Sequence, residues 1–262
     1  MLASLSQTAL GLASGAVVGF SLGVVGGGGS VLAVPLLVYV VGVPSPHVAI
    51  GTSAIAVAVN AALNLAQHAR SGVVKWRCAL VFAAVGIVGA LIGSTLGKMV
   101  DGEKLLALFA GVMIVIGALM LKRRSLEGDP DVRLDRENLP KLMTVGVLTG
   151  GLSGFFGIGG GFLIVPGLMF ATGMPILNAV GSSLVAVTAF GLTTAVSYSI
   201  SGLVDWTFAG IFIAGGVLGG IAGAAAAKTL ASRRGVLSVV FAAVIFCVAV
   251  YMLYRSFERL TA

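Results

Sequence analysis

Residues 26–30 read Gly26-Gly27-Gly28-Gly29-Ser30, and residues 157–161 read Gly157-Ile158-Gly159-Gly160-Gly161. Each stretch follows an apolar segment with spaced glycines and precedes a short apolar run that contains a proline, Pro35 or Pro166. Consecutive glycines oppose a regular helix, because each costs about 1 kcal/mol relative to alanine in a helix interior. The flanking sequence is apolar enough for lipid. Both stretches are therefore predicted to break helices inside a membrane.

The composition is that of an integral membrane protein. Of the 262 residues, 58% are hydrophobic and 10% are charged, whereas soluble domains have about 45–50% and 25%. The apolar runs approach the ~20 residues that a spanning helix needs. We therefore expect an all-α polytopic membrane protein in the cell inner (plasma) membrane, in contact with the lipid bilayer. The net charge of +7 lies in the links between apolar runs, where it sets topology, and we expect no nucleic-acid partner.

The sequence offers no groups for catalysis or metal binding. No Asp, Glu, Lys or Arg lies inside an apolar run, and the motifs of hydrolases and metalloproteases are missing. Cys78 and Cys247 lie within apolar runs without the spacing of metal ligands. We expect two buried thiols, no metal, no cofactor and no enzymatic activity.

Ten apolar runs follow one another along the chain, and two of them are too short to span a bilayer. The short runs are Val31 to Val43 and Phe162 to Gly173. The longer runs are Gln7 to Val25, His47 to Ala69, Cys78 to Gly97, Leu105 to Leu121, Leu142 to Phe156, Asn178 to Ile200, Trp206 to Ala227 and Val236 to Tyr254.

The second half of the chain repeats the first. Pro35 corresponds to Pro166 at an offset of 131 residues, and after one deletion the offset becomes 130. Residues 71–76, Ser-Gly-Val-Val-Lys-Trp, then correspond to residues 201–206, Ser-Gly-Leu-Val-Asp-Trp, which pairs the two tryptophans of the protein. Composition alone does not explain that pairing. The predicted parts are a first repeat at 1–121, a cytoplasmic basic linker at 122–141 and a second repeat at 142–262.

The charges of the links predict how the repeats are oriented. Links 70–77, 122–141 and 228–234 are rich in Lys and Arg, whereas link 201–205 has none, and basic links stay in the cytoplasm. If each broken segment is a re-entrant helix pair that returns to its starting side, each repeat adds three transmembrane helices and the two repeats are inverted. Link 98–104 and both termini are then outside. A parallel duplication is the alternative.

The two breaks have the chemistry of anion-binding sites. A helix that begins at Gly29-Ser30 or at Gly160-Gly161 has unpaired amides in its first turn and about +0.5 elementary charge at that end. Glycine lets a substrate oxygen approach the backbone, and inverted repeats bring two such ends together near the midplane. The predicted substrate-binding residues at the breaks and the helices that follow are Gly27, Gly28, Gly29, Ser30, Thr52, Ser53, Gly159, Gly160, Gly161, Ser182 and Ser183.

A polar stripe on the third apolar run adds two candidates. Asn60 and Asn64 recur at helical spacing and are followed by Gln67 and His68; such groups are costly in lipid unless they find partners or water. We predict that Asn60 and Asn64 line the substrate path, whereas Gln67 and His68 are equally compatible with an interfacial position. The alternative for the stripe is that it only joins helices by hydrogen bonds. The second repeat carries Thr193, Thr194, Ser197 and Tyr198 on the equivalent face.

These motifs carry a resemblance to a known family. Residues 23–35, Gly-Val-Val-Gly-Gly-Gly-Gly-Ser-Val-Leu-Ala-Val-Pro, and residues 154–166, Gly-Phe-Phe-Gly-Ile-Gly-Gly-Gly-Phe-Leu-Ile-Val-Pro, together with Gly51-Thr52-Ser53, resemble the TauE/SafE sulfite and sulfonate exporters over essentially the whole chain. The resemblance implies a transporter of small sulfur-containing anions, such as sulfite or sulfoacetate-like organosulfonates, working in export. Gly181-Ser182-Ser183, with serine in place of threonine, is a small departure.

Two functions are open at this point. The first is a secondary carrier or facilitator that binds a small anionic substrate; the second is a non-transporting membrane assembly module with glycine-rich packing faces. The paired breaks favour transport, because packing needs one glycine per turn and not four together. A homo-oligomer is compatible with either function. The glycines predicted only to pack helices are Gly15, Gly19, Gly23, Gly150 and Gly154.

Overall fold

The computed structural model describes residues 5–122, 128–129, 132, 134–157, 161–231, 243, 246–251 and 254. These residues form helices and short links, which confirms the all-α prediction; most of the predicted run Val236 to Tyr254 lies outside them. The helices are α1 Leu5–Val25, α2 Ala33–Pro35, α3 Pro46–Arg70, α4 Trp76–Met99, α5 Gly102–Lys122, α6 Asn138–Phe156, α7 Gly161–Thr172, α8 Ile176–Ile200 and α9 Trp206–Ala231. A 3-10 helix, Gly26–Leu32, precedes α2, and a π-helix, Leu36–Val41, follows it.

Six segments of the described chain are long and apolar enough to cross a membrane. Helix α7 has 12 residues, or about 18 Å at 1.5 Å per residue, and is too short for a hydrocarbon core of ~30 Å. Large apolar side chains such as Leu148 and Leu218 point outward, 61% and 72% exposed, where lipid would cover them. The six segments are Leu5–Val41, Pro46–Arg70, Trp76–Met99, Asn138–Phe156, Ile176–Ile200 and Trp206–Ala226.

The first glycine stretch turns the chain back against α1. Gly26 has a φ of +62°, a left-handed conformation that glycine adopts without steric cost. The 3-10 helix that follows is buried from Gly26 to Val31. A β-carbon added at Gly29 would strike the backbone of Leu22, so this segment runs back along α1 at van der Waals contact.

The second helix does not begin where the sequence led us to expect. We predicted an amino end at Gly29-Ser30, but the chain already forms a 3-10 helix from Gly26 and becomes α-helical only at Ala33. Glycine has little preference for the α-helix, and short 3-10 turns are common at helix ends. The helical segment after the first break therefore begins three residues earlier than predicted.

The chain makes its left-handed turns at equivalent points of the two halves. Six glycines of the described chain have positive φ values between +62° and +81°. Their spacing is 131, 131 and 130 residues, which equals the offset of the sequence repeat. The three pairs are Gly26 with Gly157, Gly42 with Gly173, and Gly72 with Gly202.

Glycines pack α1 against α9, and their equivalents pack α6 against α4. A β-carbon at Gly19 would strike the carbonyl of Gly216, and one at Gly150 would strike the carbonyl of Gly86; these two contacts are equivalent in the repeat. The predicted packing role is thus confirmed. The other predicted packing positions meet the facing helix in the same way: Gly15 at Phe212, Gly23 at Gly220 and Ala224, and Gly154 at Ala90.

Helices α3 and α8, which are equivalent in the repeat, run antiparallel to each other. A β-carbon at Gly51 would approach Tyr198, one at Gly191 would lie 3.0 Å from the Ala58 β-carbon, and one at Gly181 would lie 3.7 Å from the His68 β-carbon. Later residues of α3 therefore contact earlier residues of α8.

The links gather at two ends of the helix bundle. At one end, Asn178 donates to the Val73 carbonyl over 2.9 Å, and the amide of Asp129 in the linker donates to the Gly173 carbonyl over 3.0 Å. We call this the basic end, because Arg70, Lys75 and Arg77 lie there. At the opposite end, His47 at the start of α3 donates through Nε2 to the Val100 carbonyl over 3.1 Å.

One prediction about the cysteines is wrong. Cys78 is buried as expected, whereas Cys247 is exposed. In a membrane protein an apolar run does not show which of its faces turns inward, because the lipid is as apolar as the core.

Candidate functional site

The two glycine breaks meet inside the molecule. A β-carbon at Gly27 would lie 2.8 Å from the Gly161 α-carbon and 2.6 Å from a methyl group of Val187, and one at Gly161 would strike the Gly27 carbonyl. Only bare backbone fits at this contact. Gly28 and Gly29 are buried beside it, whereas the predicted site residues Gly159 and Gly160 lie outside the described residues.

A serine from the second half holds an amide of the first break. The Gly27 amide donates to Ser183 Oγ over 3.0 Å, and this hydroxyl donates to the Val180 carbonyl over 2.7 Å. Ser53, the equivalent of Ser183, donates to the Ile50 carbonyl over 2.9 Å. Ser30, in the first break, donates to the Gly27 carbonyl over 2.8 Å. Ser30 and Ser183 thus place short, buried hydroxyl groups at the first break.

Thr52 and Ser182 make equivalent contacts in opposite halves, each with an amide of a link. Thr52 Oγ1 accepts a hydrogen bond from the Asp205 amide over 2.9 Å, and Ser182 Oγ accepts one from the Lys75 amide over 2.8 Å. Both are fully buried and tie α3 or α8 to the link of the other repeat. Their predicted role in substrate binding stays a prediction, and their visible role is structural.

Asn60 is buried with no partner for its side chain. It is 0% exposed, and neither Oδ1 nor Nδ2 has a hydrogen-bond partner in the described part of the chain. It packs on α9 at Gly216, where an added β-carbon would strike the amide. Leaving a buried polar group unpaired costs about 1–3 kcal/mol, so an amide in this position indicates a ligand or water.

Asn64 and His68 continue the stripe from Asn60 to the first break. Asn64 Nδ2 donates to the Asn60 carbonyl over 2.9 Å, while Asn64 Oδ1 is buried without a partner among the described residues. His68 Nε2 donates to the Gly23 carbonyl over 3.0 Å, three residues before the left-handed turn at Gly26. The polar stripe of α3 therefore reaches the end of α1.

Helix α8 carries the second polar stripe, which was noted from the sequence but not included among the predicted substrate-binding residues. Thr194 and Tyr198 occupy the positions of Asn64 and His68 in the repeat. Both are 0% exposed, and neither hydroxyl has a partner within the described residues. The repeat was the signal that placed them on the face equivalent to that of Asn64 and His68.

Comparisons with known proteins agree with the membrane architecture. The family model described as sulfite exporter TauE/SafE matches residues 11–252. A protein of Xylella fastidiosa (strain Temecula1) named probable membrane transporter protein is 51% identical over 254 residues, which cover 96% of this chain and 97% of the relative.

More distant relatives carry the same kind of name. The probable membrane transporter protein YunE of Bacillus subtilis is 27% identical over 84% of this chain and 88% of its own length. The probable membrane transporter protein MJ0441 of Methanocaldococcus jannaschii is 30% identical over 70% of each chain. No solved structure matches the chain significantly.

Proposed function

This chain belongs to the sulfite exporter TauE/SafE family, and from that premise we propose that it exports a small sulfur oxyanion, sulfite or an organosulfonate, through the inner membrane. It is a membrane transporter with six apolar segments long enough to span. The family match extends across both glycine breaks. The substrate class and the direction are the proposed part.

The observation that carries the proposal is the buried contact between Gly27 and Gly161. Irregular backbone at membrane depth persists only where protein buries it or where it lines a cavity. Transporters built from repeats use interrupted helices of this kind at the interface between the repeats, where the substrate binds. A substrate would therefore bind at the contact between the breaks and separate the two halves of the protein there.

The substrate must be held without a formal positive side chain in this region. Within the described core, the buried side chains with polar groups are Ser, Thr, Asn, Tyr198, Cys78 and one His, and none is a Lys or Arg. Two helix amino ends supply about one positive elementary charge together, and a hydrogen bond to a charged partner is worth roughly 1.5–3 kcal/mol. The Gly27 amide and the Asn60 Nδ2 group are the donors that we assign to the anion. Ser183 would have to release that amide when the anion binds.

We further propose that the repeats are inverted and that the basic end faces the cytoplasm. The antiparallel course of α3 and α8 supports this arrangement, because parallel repeats would make equivalent helices run in the same direction. Arg70, Lys75 and Arg77 gather at one end, and basic residues favour the cytoplasmic side.

The test is anion flux through purified protein in liposomes. We expect sulfite flux above that of empty liposomes, inhibition by methanesulfonate, and little inhibition by methanesulfonamide, a neutral analogue of similar size. A neutral analogue does not benefit from the positive charge of the helix ends, so its affinity should be lower by at least about tenfold.

Two results would count against the proposal. Absence of sulfite and methanesulfonate flux with folded protein would reject the substrate class. Equal inhibition by the sulfonate and its sulfonamide would reject a site built for negative charge.

A further inference from the structure

We propose that the end of the bundle opposite the basic end carries a second binding site for the transported anion, at the mouth through which an exported anion leaves, in which Lys98 supplies the positive charge and Tyr198 a hydrogen bond. This inference rests on the proposed function, since it concerns the same substrate. It adds a charged site at the mouth to the uncharged one at the breaks.

Lys98 is held at the end of α4 by neutral groups alone. Its ammonium group donates to the Ser197 carbonyl over 3.1 Å and to the Ser201 hydroxyl over 3.0 Å, and lies 5.8 Å from the centre of the Tyr198 ring. Among the residues that the structure describes, no carboxylate contacts it. An ammonium group has three donors, so one is left for a ligand.

Tyr198, whose ring faces this cation, and its neighbour His47 each have a buried polar atom without a partner among the described residues. The Tyr198 side chain is 0% exposed, and its hydroxyl is unpaired within the described chain. The His47 ring lies 6.4 Å from the Tyr198 ring; its Nε2 donates to Val100, which leaves Nδ1 as a buried acceptor without a described partner. A cation, a hydroxyl donor and a nitrogen acceptor complement an oxyanion that retains one proton, such as hydrogensulfite.

Two carboxylates at this end are engaged elsewhere. Asp101 accepts hydrogen bonds from the amides of Glu103 and Lys104 at the start of α5, and Asp205 accepts those of Thr207 and Phe208 at the start of α9. Both serve helix amino ends, so they do not neutralise Lys98 by direct pairing.

The repeat supplies an independent observation. Lys98 of α4 corresponds to Lys228 of α9 at the offset of 130 residues. Inverted repeats would place these two positions at opposite mouths of the molecule. A lysine kept in both halves fits a carrier that meets its anion from either side.

The experiment compares Lys98→Gln with Lys104→Gln, an exposed lysine at the same end that loses the same charge. Purified proteins are titrated with sulfite by calorimetry, and the flux in liposomes is measured over a range of sulfite concentrations. We expect Lys98→Gln to weaken sulfite binding and raise KM about tenfold with Vmax retained, because a charge-assisted hydrogen bond is lost. Lys98→Arg should restore binding, Tyr198→Phe should raise KM, and Lys104→Gln should behave as wild type.

Each other outcome is decisive. Equal effects of Lys98→Gln and Lys104→Gln would show that the anion responds to the overall positive charge of this end and not to a site at Lys98. A fall in Vmax and thermal stability with unchanged KM would leave Lys98 as a cap on the last carbonyls of α8. If wild type binds sulfite in a Lys98-dependent way but moves neither sulfite nor methanesulfonate, the site at Lys98 stands and the proposed function fails; if wild type binds neither anion, both fail.

Discussion

At the scale of single residues, replacing Asn60 should change the stability and the transport rate of the protein in opposite directions. An unpaired buried amide destabilises the fold by about 1–3 kcal/mol, so replacing it with an apolar side chain of similar shape should stabilise the protein. We predict that Asn60→Leu raises the melting temperature and lowers sulfite flux by about tenfold or more. Thermal unfolding in detergent and flux in liposomes measure the two effects. A lower melting temperature with normal flux would show that Asn60 only joins helices.

Thr52 and Ser182 should behave in the opposite way. Each hydroxyl accepts one hydrogen bond from a link of the other repeat. We predict that Thr52→Ala and Ser182→Ala each reduce stability by about 1 kcal/mol, with additive effects in the double variant, and leave the sulfite KM unchanged. Denaturation and flux assays test this. A raised KM at unchanged stability would return both residues to the substrate site.

Some features of single residues could be predicted from the sequence, and others could not. The spacing of Asn60 and Asn64 predicted a buried polar face, because polar groups four residues apart share one side of a helix and are costly when that side meets lipid. Nothing in the sequence indicated that Ser182 would accept from Lys75, since that contact joins residues 107 positions apart. Such pairings depend on the packing of the two halves.

At the scale of elements, the packing of α1 against α9 predicts that glycines at the contact matter more for stability than glycines outside it. A β-carbon at Gly19 would strike the Gly216 carbonyl, whereas one at Gly210 would meet nothing within 4 Å. We predict that Gly19→Ala destabilises the protein by about 1–3 kcal/mol and that Gly210→Ala does not. Melting temperatures of the two variants are the measurement. Equal values would show that the helices separate freely.

The helix breaks were predictable as elements, but their local form was not. Four consecutive glycines predicted a break, because the helix propensity of each is poor. That the chain would turn at Gly26 and form a 3-10 helix, with α-helix only from Ala33, depends on contacts with α1 and α8. The packing glycines were predictable for a different reason: one small residue per turn is the pattern typical of close helix contact.

At the scale of the whole molecule, the proposed inverted repeats would place equivalent serines on opposite sides of the membrane. Ser71 and Ser201 are equivalent and both exposed. In a background without Cys78 and Cys247, we predict that an impermeant maleimide labels the S201C variant in intact cells and labels the S71C variant only after permeabilisation. Labelling of both from outside would indicate parallel repeats.

The central claim is that the anion passes where the two breaks meet, and flux through Gly161→Ala tests it most directly. A β-carbon there would strike the Gly27 carbonyl, whereas one at Gly111 of α5 would meet nothing within 4 Å. Both variants would be compared as protein that elutes like wild type and retains its helical circular dichroism. We predict sulfite flux at the level of empty liposomes for Gly161→Ala and near the wild-type rate for Gly111→Ala. Wild-type flux through Gly161→Ala would contradict the account.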